Sequence, residues 1–330
     1  MIFTPDLLSS LDILDWGYTE DPIPTSFDKY LKWTAENQHG TLSYLNDHRK
    51  ELRKDLREVY PDFQSALVFI FDYRRSKKWM LENDHHQLAA YSLGFDGEDY
   101  HTALKKRLSV IYEILKEKFE NLETFISLDI QPVLERDLAQ KAGLGWFGKN
   151  SMIIHQKYGS YFMIGSLLLN QKLPVGTKKV DIDHCGQCTA CAEACPTDAI
   201  DITTRTIKTN QCISTFTIEM FKEVPAPKGF DKSRGEIFGC DICQDVCPWN
   251  KKSLRSVSPK LSLKDNFKFL SEWFYDLPKS TLISIIEKSS NRGLRKKLYG
   301  TAFDRPGKEG WLKNLKATQN VFLKKHKGED

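Results

Sequence analysis

Eight cysteines fall between Cys185 and Cys247, and the rest of the 330 residues hold none. The first group runs Cys185-x2-Cys188-x2-Cys191-x3-Cys195-Pro196. The second runs Cys240-x2-Cys243-x3-Cys247-Pro248, with Cys212 alone upstream. In such a run three closely spaced thiolates bind one 4Fe–4S cubane, and the fourth crosses to a neighbouring cluster. Crossing ligands assign Cys185, Cys188, Cys191 and Cys247 to one cluster and Cys195, Cys212, Cys240 and Cys243 to the other. No thiol is left over. A pair of four-cysteine zinc sites is the competing reading, and the two Cys-Pro closures argue for clusters. A disulfide framework would scatter its cysteines along a secreted chain.

Two clusters imply electron transfer, for which a small part of this chain suffices, so the remainder must supply a substrate or a second cofactor. Segment 1–175 reads as mixed helix and strand. Ser65–Tyr73, Phe125–Ile130 and Tyr161–Leu169 are apolar runs suited to buried strands. Leu104, Leu108, Ile111, Leu115 and Phe119 repeat at the steps of a helix between the first two. The expected fold is α+β: an α/β domain over 1–175, a bacterial-ferredoxin-like two-cluster domain over 176–250, and a helical basic segment over 251–330. With no low-complexity linker between them, these parts are expected to pack together. Residues 251–330 carry nineteen Lys and Arg against eight Asp and Glu, a net +11, whereas the first 250 carry 29 against 36, a net −7. A basic tail on an acidic body points to an anionic partner, with nucleic acid the leading candidate. Met1–Glu20 has no Lys or Arg and is broken by Asp6, Asp12 and Asp15, so no targeting segment is expected. The longest uncharged apolar-rich stretch, Tyr158–Gln171, is too short to span a bilayer as a helix. A soluble cytoplasmic protein is expected, with no membrane partner.

Three further motifs stand in order along the chain. They are Asp129-x2-Pro132-Val-Leu-Glu135-Arg136 with Ala142-Gly-Leu-Gly-Trp-Phe-Gly-Lys149-Asn150, then Gly239–Asn250 around the second cysteine group, then Gly300–Asn314 in the tail. Together they resemble the epoxyqueuosine reductases of tRNA modification, from about Arg53 to Asn314. The resemblance implies a nitroreductase-like domain holding cobalamin beside the first cluster, with no protein ligand to cobalt. It also implies reduction of epoxyqueuosine to queuosine in the tRNA anticodon loop, the last step of queuosine biosynthesis, with an external low-potential electron donor and a monomeric chain.

Removing an epoxide oxygen as water needs two electrons and a supply of protons, and a desolvated carboxyl of raised pKa is a suitable donor. Asp129 matches the family's proton donor, although an Asp at a strand end commonly serves only the turn. Arg53, Tyr100, His101, Lys149, Asn150 and Ser214, with Asp129 itself, match or neighbour positions that the resemblance implies contact the cofactor. Glu135 and Arg136 read equally as a local ion pair. Arg292, Arg295, Lys296, Lys297, Arg305, Lys308 and Lys313 form the densest positive region and are the expected RNA contacts; a solvated helix face is the plainer reading. Two other functions compete: a dehalogenase-like corrinoid reductase, against which the basic tail argues, and a non-catalytic electron carrier, which would leave the α/β domain without a role.

Overall fold

The computed structural model of the chain describes residues 2–180, 182–222 and 224–325. The end of the expected basic segment, 326–330, lies outside the described residues. The three apolar runs are strands, and a fourth joins them. β1 spans Ile13–Thr19, β2 Ser65–Asp72, β3 Thr124–Ser127 and β4 Phe162–Leu169. The sheet order is β1-β2-β4-β3, and each neighbouring pair is antiparallel. The central strands are apolar on both faces because both faces are covered. Leu67, Phe69 and Phe71 pack into one layer, and Ala66, Val68 and Ile70 pack into the other. β1 is an edge strand whose apolar pattern is interrupted by Asp15 and Gly17, so periodicity alone does not disclose it.

Helices α1 (Phe27–Ala35) and α2 (Arg74–Glu82) precede α3 (Tyr100–Lys116), which connects β2 to β3 and is followed by α4 (Glu135–Lys141). α3 begins where the Asp99 carboxylate accepts a hydrogen bond from the His101 N–H at 2.9 Å, satisfying an otherwise orphaned donor. Its Leu104, Leu108, Ile111 and Leu115 are buried together with β2 and β4 residues. Gly165 in β4 permits this approach, since a Cβ there would meet Leu108 Cδ1 at 3.0 Å. The helix thereby sets Tyr100 and His101, in its first turn, beside the end of β3.

The cysteine loops enclose a short helix, α5 (Ile213–Ile218). The second loop is bolted to the α/β layer by buried polar groups. The Lys77 ammonium on α2, 1% exposed, lies 3.1 Å from Asp241 Oδ2 and 2.5 Å from Asp245 Oδ1. Arg234 bridges Asp245 at 2.6 Å and Glu236 at 3.0 Å, and the Tyr161 hydroxyl donates to Asp245. Asn250 Nδ2 donates to Ser160 Oγ at 2.9 Å. Gly239 opens the loop at φ 70°, and a Cβ on it would meet Ala89 Cβ at 2.4 Å. The Asp, Gln and Asn residues of the Gly239–Asn250 motif are thus anchors for the cysteines between them.

The tail is helical as expected: α6 (Lys279–Lys288), α7 (Asn291–Leu298) and α8 (Gly307–Lys325). Its Phe274, Phe303 and Trp311 stack around Phe238, with ring centroids 4.6–5.9 Å apart. The same core includes Tyr73, Met80 and Leu88. The three segments therefore share one core.

Candidate active site

A cleft of about 1460 Å³ opens between the end of the sheet, α1, the cysteine region and the start of the tail. It exceeds the roughly 300–1,000 Å³ that drug-sized ligands fill. One wall is tied together across the chain: Trp33 Nε1 donates to the Ile207 carbonyl at 2.9 Å, and the Asp137 carboxylate accepts from Thr25 and Ser26. Arg53, Tyr100, His101, Asp129 and Ser214 line the cleft, as does Arg305. Arg53 lies under the Tyr30 ring, 5.5 Å from its centroid, and its buried Nη1 has no protein partner.

Asp129 follows β3, but its carboxylate does not serve the turn; there Gln131 Oε1 accepts from the Leu128 N–H at 2.7 Å. The carboxylate instead accepts the Tyr100 hydroxyl proton and lies 2.7 Å from His101 Nε2. His101 Nδ1 faces Asp99 at 2.9 Å. Burial disfavours the imidazolium, but Asp129 and Asp99 outweigh it and raise His101 to about 9. Burial likewise pushes Asp129 upward, yet the hydrogen bond and charge of His101, the Tyr100 hydroxyl and Arg305 hold it below its ordinary value. This reverses the expected direction for Asp129, because a cation sits against it. A second carboxyl in the cleft is shifted the other way. Glu135, half-buried, buries its Oε1 without a hydrogen-bond partner. Burial first, then the Asp129 charge, drive it well above the usual range. Arg136 turns away, donating to the Ser151 carbonyl at 2.6 Å and to its hydroxyl at 3.0 Å.

Cys185, Cys188, Cys191 and Cys247 line one separate cavity of about 330 Å³. Among the described residues no three or more Cys, His, Asp or Glu side chains close on one ion, whereas these four thiols surround a space larger than an ion. Burial raises Cys191, Cys212, Cys240, Cys243 and Cys247, and the neighbouring thiols that act on them sort the same way. Cys191 senses Cys185 and Cys247, and Cys247 senses Cys185 and Cys188. Cys240 senses Cys243 and Cys212, and Cys212 senses Cys195. Cys243 also senses Cys191, so the two sites adjoin. Trp146 Nε1 donates to Cys185 Sγ at 3.5 Å.

Lys149 and Asn150 border this cysteine cavity rather than the large cleft, and the Lys149 ammonium is held by the Gly186 and Cys188 carbonyls at 2.7 and 3.0 Å. Cys212, at the head of α5, lines the large cleft, which none of the first four cysteines does. The cleft thus borders the second cysteine set, where the resemblance implies the first.

Of the expected RNA contacts, Arg292, Arg295, Lys296 and Lys297 are exposed on α7. Arg305 is held by both Glu219 oxygens at 2.7 Å in the cleft wall. Lys308 and Lys313 point inward. Lys308 caps the end of α6 through the Glu287 and Ser289 carbonyls. The Lys313 ammonium, only 9% of the residue being exposed, donates to the Phe216 and Met220 carbonyls, and burial lowers it to about 8. Uncompensated backbone oxygens at the ends of helices, invisible in a charge count, claim both lysines.

Two family models match the chain: a 4Fe–4S double cluster binding domain over 184–250, and Epoxyqueuosine reductase QueG, DUF1730, over 53–129. The epoxyqueuosine reductase of Leadbetterella byssophila is 36% identical over 243 residues, covering 73% of this chain and 76% of that protein. That of Xanthomonas campestris is 33% identical over 289 residues, covering 86% and 76%. The solved epoxyqueuosine reductase of Streptococcus thermophilus superposes with a TM-score of 0.74 at 21% identity, covering 96% of this chain and 80% of that one. Another solved epoxyqueuosine reductase, in a structure with an epoxyqueuosine-modified tRNA-Tyr stem loop, gives 0.73 at 23%, with the same coverage. At these identities and coverages, the chain belongs to the epoxyqueuosine reductase family of oxidoreductases.

Proposed function

We propose that this protein reduces epoxyqueuosine to queuosine in the anticodon loop of tRNA, with electrons passed through two 4Fe–4S clusters to cobalamin in the large cleft. The observation that carries the reading is the cleft itself, which places the Tyr100–Asp129–His101 cluster, Glu135 and Cys212 around one volume. Cys185, Cys188, Cys191 and Cys247 hold one cluster, and Cys195, Cys212, Cys240 and Cys243 hold the other. The cleft fits a large polar cofactor beside a nucleotide: it exceeds drug-sized pockets, and the buried Arg53 Nη1 and Glu135 Oε1 lack protein partners. Arg53 and Ser214 are the contacts assigned to that cofactor. A bound corrinoid supplies the electron pair at low potential.

The chain's own residues supply the protons. Opening the epoxide to an alkene breaks two C–O bonds, forms one C=C bond, consumes two electrons and two protons, and releases water. His101, raised to about 9, favours the imidazolium at neutral pH; the cation beside Asp129 favours its carboxylate, and burial favours the neutral acid of Glu135. Asp129 relays the His101 Nε2 proton to the departing oxygen, while Tyr100 orients the carboxylate. Glu135 holds the second proton. A tRNA substrate places the enzyme in the cytoplasm, where we assign it as a monomer served by an external low-potential donor.

The test is to reconstitute the clusters anaerobically, add cobalamin and reductant, and measure queuosine in tRNA from a strain lacking the activity. Absence of both queuosine and cobalamin binding overturns the reading. Asp129→Ala is expected to abolish turnover with clusters and corrinoid retained; surviving activity moves the relay elsewhere.

A further inference from the structure

α7 carries an ordered stripe. Arg292, Arg295 and Lys296 stand three and four residues apart and share one helix face, on which Tyr299 follows at the helix end. Leu294 and Leu298 face the opposite way and are buried. Lys297 leaves the stripe to sit over the Phe269 ring, 4.0 Å from its centroid. Tyr299 is 78% exposed, an unusual state for a ring that ordinarily buries much of its surface. Its backbone runs into Gly300, whose carbonyl accepts the Asp99 N–H at 2.7 Å, and Asp99 in turn holds His101. The exposed ring is therefore fastened to the backbone of the proton relay. Tyr299 lines the large cleft, as do the exposed Ile130 and Tyr44.

We infer that Tyr299 is a stacking platform for an unpaired base of the substrate RNA loop, flanking the nucleotide that enters the cleft, while Arg292, Arg295 and Lys296 follow the adjoining phosphates. The inference rests on the proposed tRNA substrate and deepens it. Single-stranded RNA presents what this stripe complements: phosphates at regular steps and splayed bases whose faces stack on aromatic rings without regard to sequence. A cationic row that ends in a bare ring beside a deep cleft matches that order, backbone first and base at the mouth. An acidic protein surface would satisfy the three cations and leave the ring without a counterpart.

The experiment uses the full chain, a labelled anticodon stem-loop RNA for binding and modified tRNA for turnover. Tyr299→Ala, Tyr299→Phe and Tyr299→Trp are compared with the wild type. Loss of one stacked base weakens binding by about 5-fold to 150-fold. The Ala variant is expected to raise Kd and KM in that range with kcat nearly unchanged, and Phe and Trp are expected to restore both. Because Tyr299 is exposed, unfolding midpoints should coincide. A wild-type chain that does not bind the hairpin, an Ala variant that binds it equally, or a Phe variant as weak as Ala each overturns the inference. Binding is read without turnover, so hairpin affinity that depends on Tyr299 but produces no queuosine faults the proposed reaction and leaves the platform standing.

Discussion

Replacing His101 by Gln tests the proton inventory of the cleft through stability alone. The folded imidazole sits at about 9, against 6.5 when unfolded. A group raised on folding contributes stability that is fully present below pH 6.5 and lost as pH rises through about 9. The full difference corresponds to about 3 kcal/mol. The His101 side chain is 23% exposed and that of Asp129 45%, so solvent screening reduces the expected contribution to about 1–2 kcal/mol. Asp129, lowered from 3.8, acts in a separate acid window: its contribution is present above pH 3.8 and lost as pH falls through its folded value. The buried Lys279 and Lys313 amines, lowered to about 8, work oppositely above that pH. The informative quantity is therefore the difference between wild type and His101→Gln. Urea unfolding from pH 6 to 9.5 should show the wild-type advantage shrinking by that amount as pH rises. Equal pH profiles, or an imidazole resonance titrating near 6.5, would falsify the assignment of a charged His101 at neutral pH.

Cys212→Ser and Cys247→Ser should each lose a different cluster, leaving half the iron and distinct residual spectra on reduction; matching spectra would refute the crossed ligand sets. Lys77→Met leaves Asp241 and Asp245 short of a buried cation and should destabilise the chain by about 3–5 kcal/mol, read as a fall in the urea midpoint. Lys296→Gln should leave stability unchanged and reduce the salt slope of RNA binding by about 1. Lys313→Gln should leave that slope intact and lower stability by about 1–3 kcal/mol; the opposite pattern would show that their burial has been misread.

What was legible in the chain was local. The cysteine spacings announced two clusters because a cubane restricts how far apart its ligands can lie in a loop. The three expected strands announced themselves as apolar runs, and the two inner ones, Ser65–Asp72 and Phe162–Leu169, have both faces covered. The edge strand Ile13–Thr19 did not, since its Asp15 serves His155 and Lys178 outside the sheet. Asp129 could be picked out, but its ionisation could not. That depends on Tyr100 and His101, brought to it by a helix packed on the sheet. The sequence presents Lys308 and Lys313 as RNA contacts because neither composition nor periodicity reveals a helix end that needs a donor. Lys77 gave no signal either, as its partners lie more than 160 positions away.

The cavity formed by Cys185, Cys188, Cys191 and Cys247 bears on the order of synthesis. Three of its walls leave the ribosome about sixty residues before the fourth. Cys247 belongs to the loop whose Asp241 and Asp245 are held by Lys77 of the α/β layer, so the cavity draws on both parts of the chain. A cavity lined by all four cysteines therefore exists only in a chain whose α/β layer and second cysteine loop have come together.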